Sequence, residues 1–370
     1  MISINIAGDF YINSEFINTL SINSEVKNVF KKADLNIVNF EAPTVDKITP
    51  KDKYGPSLFM DKSCVKFLKE LNVDLVTLAN NHIMDQGERG LDMTIQNLNE
   101  NTIKYIGADV NLEKASLPFK KKFGDINLGI INFAENEFSN TNGDYHGAAP
   151  LDLIENTLAI QKLKKEVDKV IVIVHGGAEM HKYPSPRFKK TLRYFALQGA
   201  DAVIAHHTHR YNGYEIFDGV PIVYGTGNFI FPRKGSNDLW NIGVVANLFI
   251  EKERITLKTI PVKLNYDSSL ELSLLSSTDT SDFLNSEKEK TEVIASDKLL
   301  EKKYDEFIAS IYNQYIHYLQ PYTSKYLHKL FSMGIIPNFL KNNKKRLLYL
   351  NLVRCEAHRD VLLKILNDKK

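Results

Sequence analysis

Over the first two-thirds of the 370-residue chain, short apolar runs alternate with segments whose apolar residues recur at helical spacing. The runs at residues 2–7, 35–40, 73–79, 128–132, 170–174, 202–205 and 220–224 are rich in Ile, Val and Leu, as strands buried on both faces require. Between them, residues 64–71, 158–167 and 188–197 carry a helical stripe, the last followed by Gly199 as a stop. Alternating strands and helices predict an α/β fold around a central sheet. After Trp240 the runs lengthen into 242–251 and 254–262, which read as a closing hairpin or meander. Residues 268–298, rich in Ser, Asp, Glu and Thr, read as a polar linker with some local structure. Residues 299–370 are again helical in pattern. The expected parts are therefore a body over 1–267, a linker over 268–298 and a helical extension over 299–370.

Composition adds boundaries to this picture. With 43% hydrophobic and 25% charged residues the chain is not wholesale disordered. A net charge of +2 gives no global argument for nucleic acid, and no base-reading motif is present, so no nucleic-acid partner is expected. The charge is unevenly placed: residues 325–370 hold 11 Lys/Arg against 3 Asp/Glu, a net of +8, which leaves −6 for the rest. The extension is thus basic, and Lys344-Lys345-Arg346 reads as a solvated face or a peripheral contact to anionic lipid or polymer. Tyr312, Tyr315, Tyr318, Tyr322 and Tyr326 lie near helical spacing and read as packing or a homodimer seam. Two cysteines, Cys64 and Cys355, exclude a disulfide framework and fit a reducing compartment. The longest aliphatic run, 170–174, is far short of the roughly 20 residues of a membrane helix. Residues 1–9 have no basic flank leading into an apolar core, so no signal peptide is read there. The expected location is cytoplasmic, with any membrane contact peripheral.

The chemistry sits at the ends of the strands. Five apolar runs lead directly into Gly8-Asp9, Glu41-Ala42-Pro43, Asn80-Asn81-His82 with Asp85, His175-Gly176-Gly177-Ala178-Glu179, and His206-His207-Thr208-His209. In an open α/β sheet the C-terminal strand ends converge on one edge, where ligands bind. Independent surface loops would not supply Asp, Glu, Asn or His five times over. Imidazoles, carboxylates and an amide without a thiol suit zinc, manganese or iron(II). Six candidate ligands exceed the three protein ligands usual for one catalytic zinc, so two divalent ions sharing a carboxylate is the economical reading. Such a pair clamps the attacking and leaving oxygens of a phosphoryl displacement, and a nearby unligated histidine can protonate the leaving group.

Gly8-Asp9, Asn39-Phe40-Glu41-Ala42-Pro43, Asn80-Asn81-His82-Ile83-Met84-Asp85, His175-Gly176-Gly177-Ala178-Glu179, His206-His207-Thr208-His209 and Tyr224-Gly225-Thr226-Gly227-Asn228-Phe229 occur in this order over residues 1–265. Together they resemble the bacterial capsule-synthesis family of the CapA, poly-γ-glutamate type, which belongs with the calcineurin-like metallophosphoesterases. The resemblance implies a four-layer α/β/β/α sandwich and a dinuclear centre of Mn, Zn or Fe. It implies Asp9 on the first ion, Glu41 as the bridge, Asn81 and His175 on the second, and His207 and His209 on one ion each. His207 and His209 also stand i,i+2, on one side of an extended segment. His82 takes the place of the proton donor. His206, Asp85, Glu179 and Asn228 are implied to orient the ligands or face the substrate. Two positions depart from the wider superfamily: Tyr11 stands where a histidine is usual, and Glu41 where an aspartate is.

Other features read more plainly. Gly225-Thr226-Gly227-Asn228 lacks the Gly-Lys-Ser/Thr of a phosphate loop and reads as a tight turn or, equally, a substrate contact. His146, His181, His317, His328 and His358 read as surface or packing residues, and Arg187 as a helix start that would otherwise meet an anionic substrate. Two function classes follow. One is a metal-dependent phosphoesterase in capsule or cell-surface polymer biosynthesis, acting on a phosphorylated or polymer-precursor anion, with a metallo-amidase on γ-glutamyl links as its variant. The other is a non-catalytic accessory of a capsule-assembly complex, in contact with other assembly proteins.

Overall fold

Period-two alternation along the buried strands sets the layering. In the computed structural model, which describes residues 1–53, 55–266, 270–319, 324–354, 358, 362 and 366, those strands form a nine-stranded and a six-stranded sheet. The larger sheet runs in the order Leu20–Ile22, Leu270–Leu274, Ile255–Asn265, Ile242–Ile250, Ile2–Phe10, Leu35–Phe40, Leu75–Thr77 and Lys104–Ile106, with Asn228–Ile230 also paired to Ile2–Phe10. The smaller runs Tyr214–Phe217, Val220–Val223, Ala202–His206, Lys169–His175, Ile126–Ala134 and Phe119–Phe123. Ile4, Ile6, Ile37 and Leu75 of one sheet share a core cluster with Ile130, Ile171, Ile173 and Ile204 of the other. Their neighbours point the opposite way. Val38, Phe40 and Val76 pack with Val26, Phe30, Phe67 and Leu91 of the helices over the larger sheet. Val170, Val172, Val174 and Val203 pack with Ile160, Leu163, Phe188 and Leu192 of the helices over the smaller. Three cores between four layers make an α/β/β/α sandwich, the architecture the motifs implied.

The seven expected strands form, with ends that differ by a few residues; 73–79 shortens to Leu75–Thr77 and 128–132 lengthens to Ile126–Ala134. Ile242–Ile250 and Ile255–Asn265 pair antiparallel as the hairpin. Helices cover Leu153–Lys164 and Pro186–Leu197, and Gly199 takes φ 113°, a left-handed stop that suits glycine.

The linker expected over 268–298 is different in the structure. Contacts divide the chain into units Met1–Lys302 and Lys303–Lys370, and most of the linker is the helix Ser277–Ala295 within the first unit. Its apolar residues are few, so periodicity hid it; Phe283, Val293 and Ile294 are buried, and polar staples add to their packing. Phe283 stacks on Tyr211 at 5.3 Å, Glu289 meets Lys182 Nζ and the Tyr183 hydroxyl at 2.6 Å each, and Ser276 caps the start. Lys189, only 2% exposed, donates to the Ile294 carbonyl and to Asp297 Oδ1 at 2.7 Å. A cation on the last carbonyls of a helix satisfies acceptors that have no intrahelical partner. Lys189→Ala is expected to destabilise the protein by about 2–4 kcal/mol, from the lost charge-assisted bonds and the cavity left by the stem. Hydrogen exchange should accelerate first over 277–300; uniform acceleration across both sheets would refute the staple role.

The second unit holds the helices Lys325–Ser332 and Asn343–Arg354. The expected tyrosine stripe is exposed at Tyr312, Tyr315 and Tyr326. Cys355 and Tyr322 lie outside the described residues, as do the side chains of His317, Tyr318 and His328. Among the described residues no helix is long and apolar enough to cross a membrane.

Candidate metal centre

The parallel strands Ile2–Phe10, Leu35–Phe40 and Leu75–Thr77 end beside the ends of Lys169–His175 and Ala202–His206, where His175 pairs in register with His206. Asp9 lies in register with Asn228, on the strand that joins Ile2–Phe10 from the other side. That approach needs Gly8: a Cβ there would stand 1.9 Å from the Gly227 carbonyl oxygen, and Asp9 N donates to the same oxygen at 3.2 Å.

The side chains delivered to this edge form two groups of potential ligands, Glu41, His175 and His207, and Asp9, Glu41 and His209. All five are buried, and Glu41 belongs to both. His175 Nε2 lies 3.0 Å from Asn81 Oδ1 and 3.1 Å from His207 Nδ1, so Asn81 joins the first group. Donor atoms about 2.0–2.2 Å from one ion stand about 3.0–3.6 Å apart, which these spacings match. Glu41 Oε1 is 3.9 Å from His175 Nε2 and 3.8 Å from His209 Nε2. It is fully buried and has no hydrogen-bond partner among the described residues. An orphaned carboxylate oxygen between imidazole nitrogens is a costly arrangement that a cation relieves. On that observation the residues fit bound divalent metal.

Electrostatics agree. Burial and the adjacent Asp9 carboxylate hold Glu41 well above the usual carboxylate range. Burial would raise Asp9 as well, but the bond and charge of His209, with His175 and His206 behind it, bring it below that range. Burial and His207 keep His175 neutral-leaning, well below an ordinary imidazole, the form that ligates. Asn39, two residues before Glu41 on its strand, donates to Asp9 Oδ1 at 2.8 Å and Glu41 Oε2 at 3.1 Å and so fixes both carboxylates.

The His-His-Thr-His run departs from the extended geometry expected of it. The strand stops at His206, and His207 and His209 take φ of 87° and 51°, left-handed values rare for non-glycine residues. That turn sends the two rings into different groups, and strain of this kind concentrates at functional sites. His206 enters neither group; its Nδ1 meets Thr226 Oγ1 at 2.7 Å, and burial pushes its pKa down to about 4. Asn228 Oδ1 holds His209 Nδ1 at 2.9 Å. Tyr11 packs against Phe231 at 4.7 Å between ring centroids.

His82 Nδ1 lies 2.6 Å from Asp85 Oδ2. The buried Lys53 completes this cluster, with Nζ 3.2 Å from His82 Nδ1 and paired to Asp85. Burial lowers the His82 pKa against the opposing pull of Asp85. At the rim, Glu137 and Glu179 stand 3.8 and 3.9 Å from His207 Nε2. Arg187 is paired to Glu135 at 2.5 Å, so its charge is committed there. Glu135 also accepts from Gly177 N at 2.8 Å. The sequence reading quoted Asn39 within a motif but gave it no role, and it missed Lys53 and Trp240, whose ring sits 4.7 Å from that of His209. A buried Asn on an apolar strand was a readable signal for the first; Lys53, in a polar stretch, carried none.

Comparison with known proteins agrees with the motif order. A model of the bacterial capsule synthesis protein PGA_cap matches residues 3–233. The PGA biosynthesis protein CapA of Bacillus subtilis (strain 168) is 30% identical over 221 residues, 58% of this chain and 57% of that one. The capsule biosynthesis protein CapA of Bacillus anthracis is 26% identical over 219 residues, 56% of this chain and 53% of that one. The chain thus spans about half the length of these curated relatives. Among solved structures, a 5'-nucleotidase from Candida albicans SC5314 aligns with a TM-score of 0.39 and 13% identity, covering 83% of this chain and 58% of its own. With the family model covering most of the sandwich and every strand-end cluster, the chain belongs to the bacterial capsule synthesis protein PGA_cap family.

Proposed function

We propose that this capsule-family protein is a metal-dependent hydrolase, a phosphoesterase acting on an anionic precursor of a capsule or cell-surface polymer. The observation that carries the reading is the orphaned Oε1 of Glu41, shared between two groups of nitrogen and oxygen ligands. Asp9, Glu41 and His209 would hold one ion, and Glu41, Asn81, His175 and His207 the other. When bound, Mn, Zn or Fe in such a pair supplies Lewis acidity toward phosphoryl oxygens and acidifies a water. The remaining work falls to the chain. Asp85 accepts from His82 Nδ1, so the ring carries its first proton there, and a second proton taken up at Nε2 is the one that would pass to the leaving oxygen. Lys53 holds Asp85 in place from the other side. Asn39 and Asn228 keep the Asp9, Glu41 and His209 donors oriented.

Metal content per chain, measured by mass spectrometry on protein purified without chelator or affinity metal, tests the reading together with a phosphoester screen. About two transition-metal ions per chain and turnover with that metal are expected. Mn(II) added to the metal-free protein should also quench Trp240, the one tryptophan of the chain, because its ring abuts His209. No bound metal after reconstitution with Mn, Zn and Fe, and no hydrolysis, would overturn it in favour of an accessory role in assembly.

A further inference from the structure

Residues 325–354 carry seven Lys or Arg and no Asp or Glu, so this part of the extension has no counter-charge of its own. The apolar side chains of the same stretch are largely uncovered. On the helix Lys325–Ser332, Tyr326 is 70% exposed, and Leu327 and Leu330 are exposed beside it. At about 3.6 residues per turn these three fall on one side of the helix, away from Lys325 and Lys329. Met333 and Ile335, just past its end, are each 62% exposed. The helix Asn343–Arg354 opens on Lys344-Lys345-Arg346, all exposed, and then turns apolar, with Leu347, Leu350 and Val353 again exposed.

Single exposed apolar residues are ordinary on a protein surface, but a run of them calls for a cover. A second copy of the stretch could cover the apolar side chains, but it would set seven cations against seven more with no carboxylate between them. A soluble polyanion would answer the cations and leave Tyr326, Leu330 and Met333 in water. An anionic bilayer answers both, with charged headgroups above an apolar boundary. We propose that residues 325–354 dock on an anionic phospholipid surface. Tyr326, Leu327, Leu330 and Met333 enter the interface, while Lys325, Lys329 and the Lys344–Arg346 run meet lipid phosphates, their long stems reaching up from the apolar boundary. The two helices have 8 and 12 residues, too few to cross a bilayer, so the contact is peripheral. The stretch lies beyond the family-matched residues 3–233, and the proposal stands whether or not the metal centre is hydrolytic.

The full chain is floated with vesicles of phosphatidylcholine alone, and with vesicles in which phosphatidylglycerol makes up about a third of the lipid. Binding at least about tenfold tighter to the anionic vesicles is expected, with hydrogen exchange slowed over 325–354. Lys344→Gln, Lys345→Gln and Arg346→Gln together should weaken it about 100-fold, since each cation near such a surface contributes about fivefold. Leu330→Gln with Met333→Gln leaves the charge untouched and should weaken it at least about tenfold. All five positions are exposed, so both variants should melt with the parent. No binding, equal binding to the two vesicle types, or anionic binding that ignores Leu330→Gln and Met333→Gln overturns the proposal, the last because charge adsorption alone would explain it. A concentration-dependent dimer that excludes vesicles and dissociates in the Leu330→Gln, Met333→Gln variant also overturns it, in favour of a second copy.

Discussion

Glu41→Gln is expected to lose metal and activity together while making the metal-free protein more stable. The argument starts from burial. Glu41 is fully buried beside Asp9, and burial with the Asp9 charge already disfavours its ionised form. A neutral amide of the same shape removes that repulsion, so the metal-free variant should melt higher, by about 1–3 kcal/mol of stability. The order reverses with metal. An ion at about 100 times its Kd stabilises the parent by about 2.7 kcal/mol, and a variant without the shared carboxylate loses most of that gain. Substituting residues that merely orient a ligand costs about 10–100-fold, and removing a donor shared by both groups should exceed the upper figure in turnover. Melting curves with and without Mn, beside metal content, check both halves. Two ions per chain retained by the variant would refute the bridging role.

His82→Ala should separate turnover from metal. Its Nδ1 is tied to Asp85, which Lys53 pairs from the other side, and the ring belongs to neither ligand group. Losing a positioned proton donor costs about 10²–10⁴-fold in rate, whereas metal content should fall little. Asp85→Asn should give a smaller loss in the same direction, since it disturbs the tautomer and orientation of a ring that is still present. Turnover equal to the parent's in His82→Ala would end its assigned role, and a parallel loss of metal would make it a ligand instead.

Much of this centre was legible along the chain. Buried strands announce themselves by apolar runs, and a polar or charged residue immediately after such a run lies at the sheet edge. That pattern placed Asp9, Glu41, Asn81, His175 and His207 at one edge, and the family resemblance proposed them as ligands. Lys53 was not legible, because its neighbours in sequence are ordinary loop residues and its partners lie 29 and 32 positions away. The Ser277–Ala295 helix was hidden for a related reason: only Phe283, Val293 and Ile294 of it are buried apolar residues, and much of its docking is by ion pairs and hydroxyl contacts, which leave no periodic trace.

The sequence by itself determined the strand set, the edge at which the chemistry collects and the donor types gathered there, because local periodicity and strand direction are properties of neighbouring residues. The tertiary structure alone decided how those donors are shared. Glu41 meets His175 and His209, His175 meets Asn81 94 positions away, and His207 N meets Asp9 198 positions away. Such spacings follow from how two sheets pack face to face and from two left-handed residues after His206, and no pattern within either sheet encodes them.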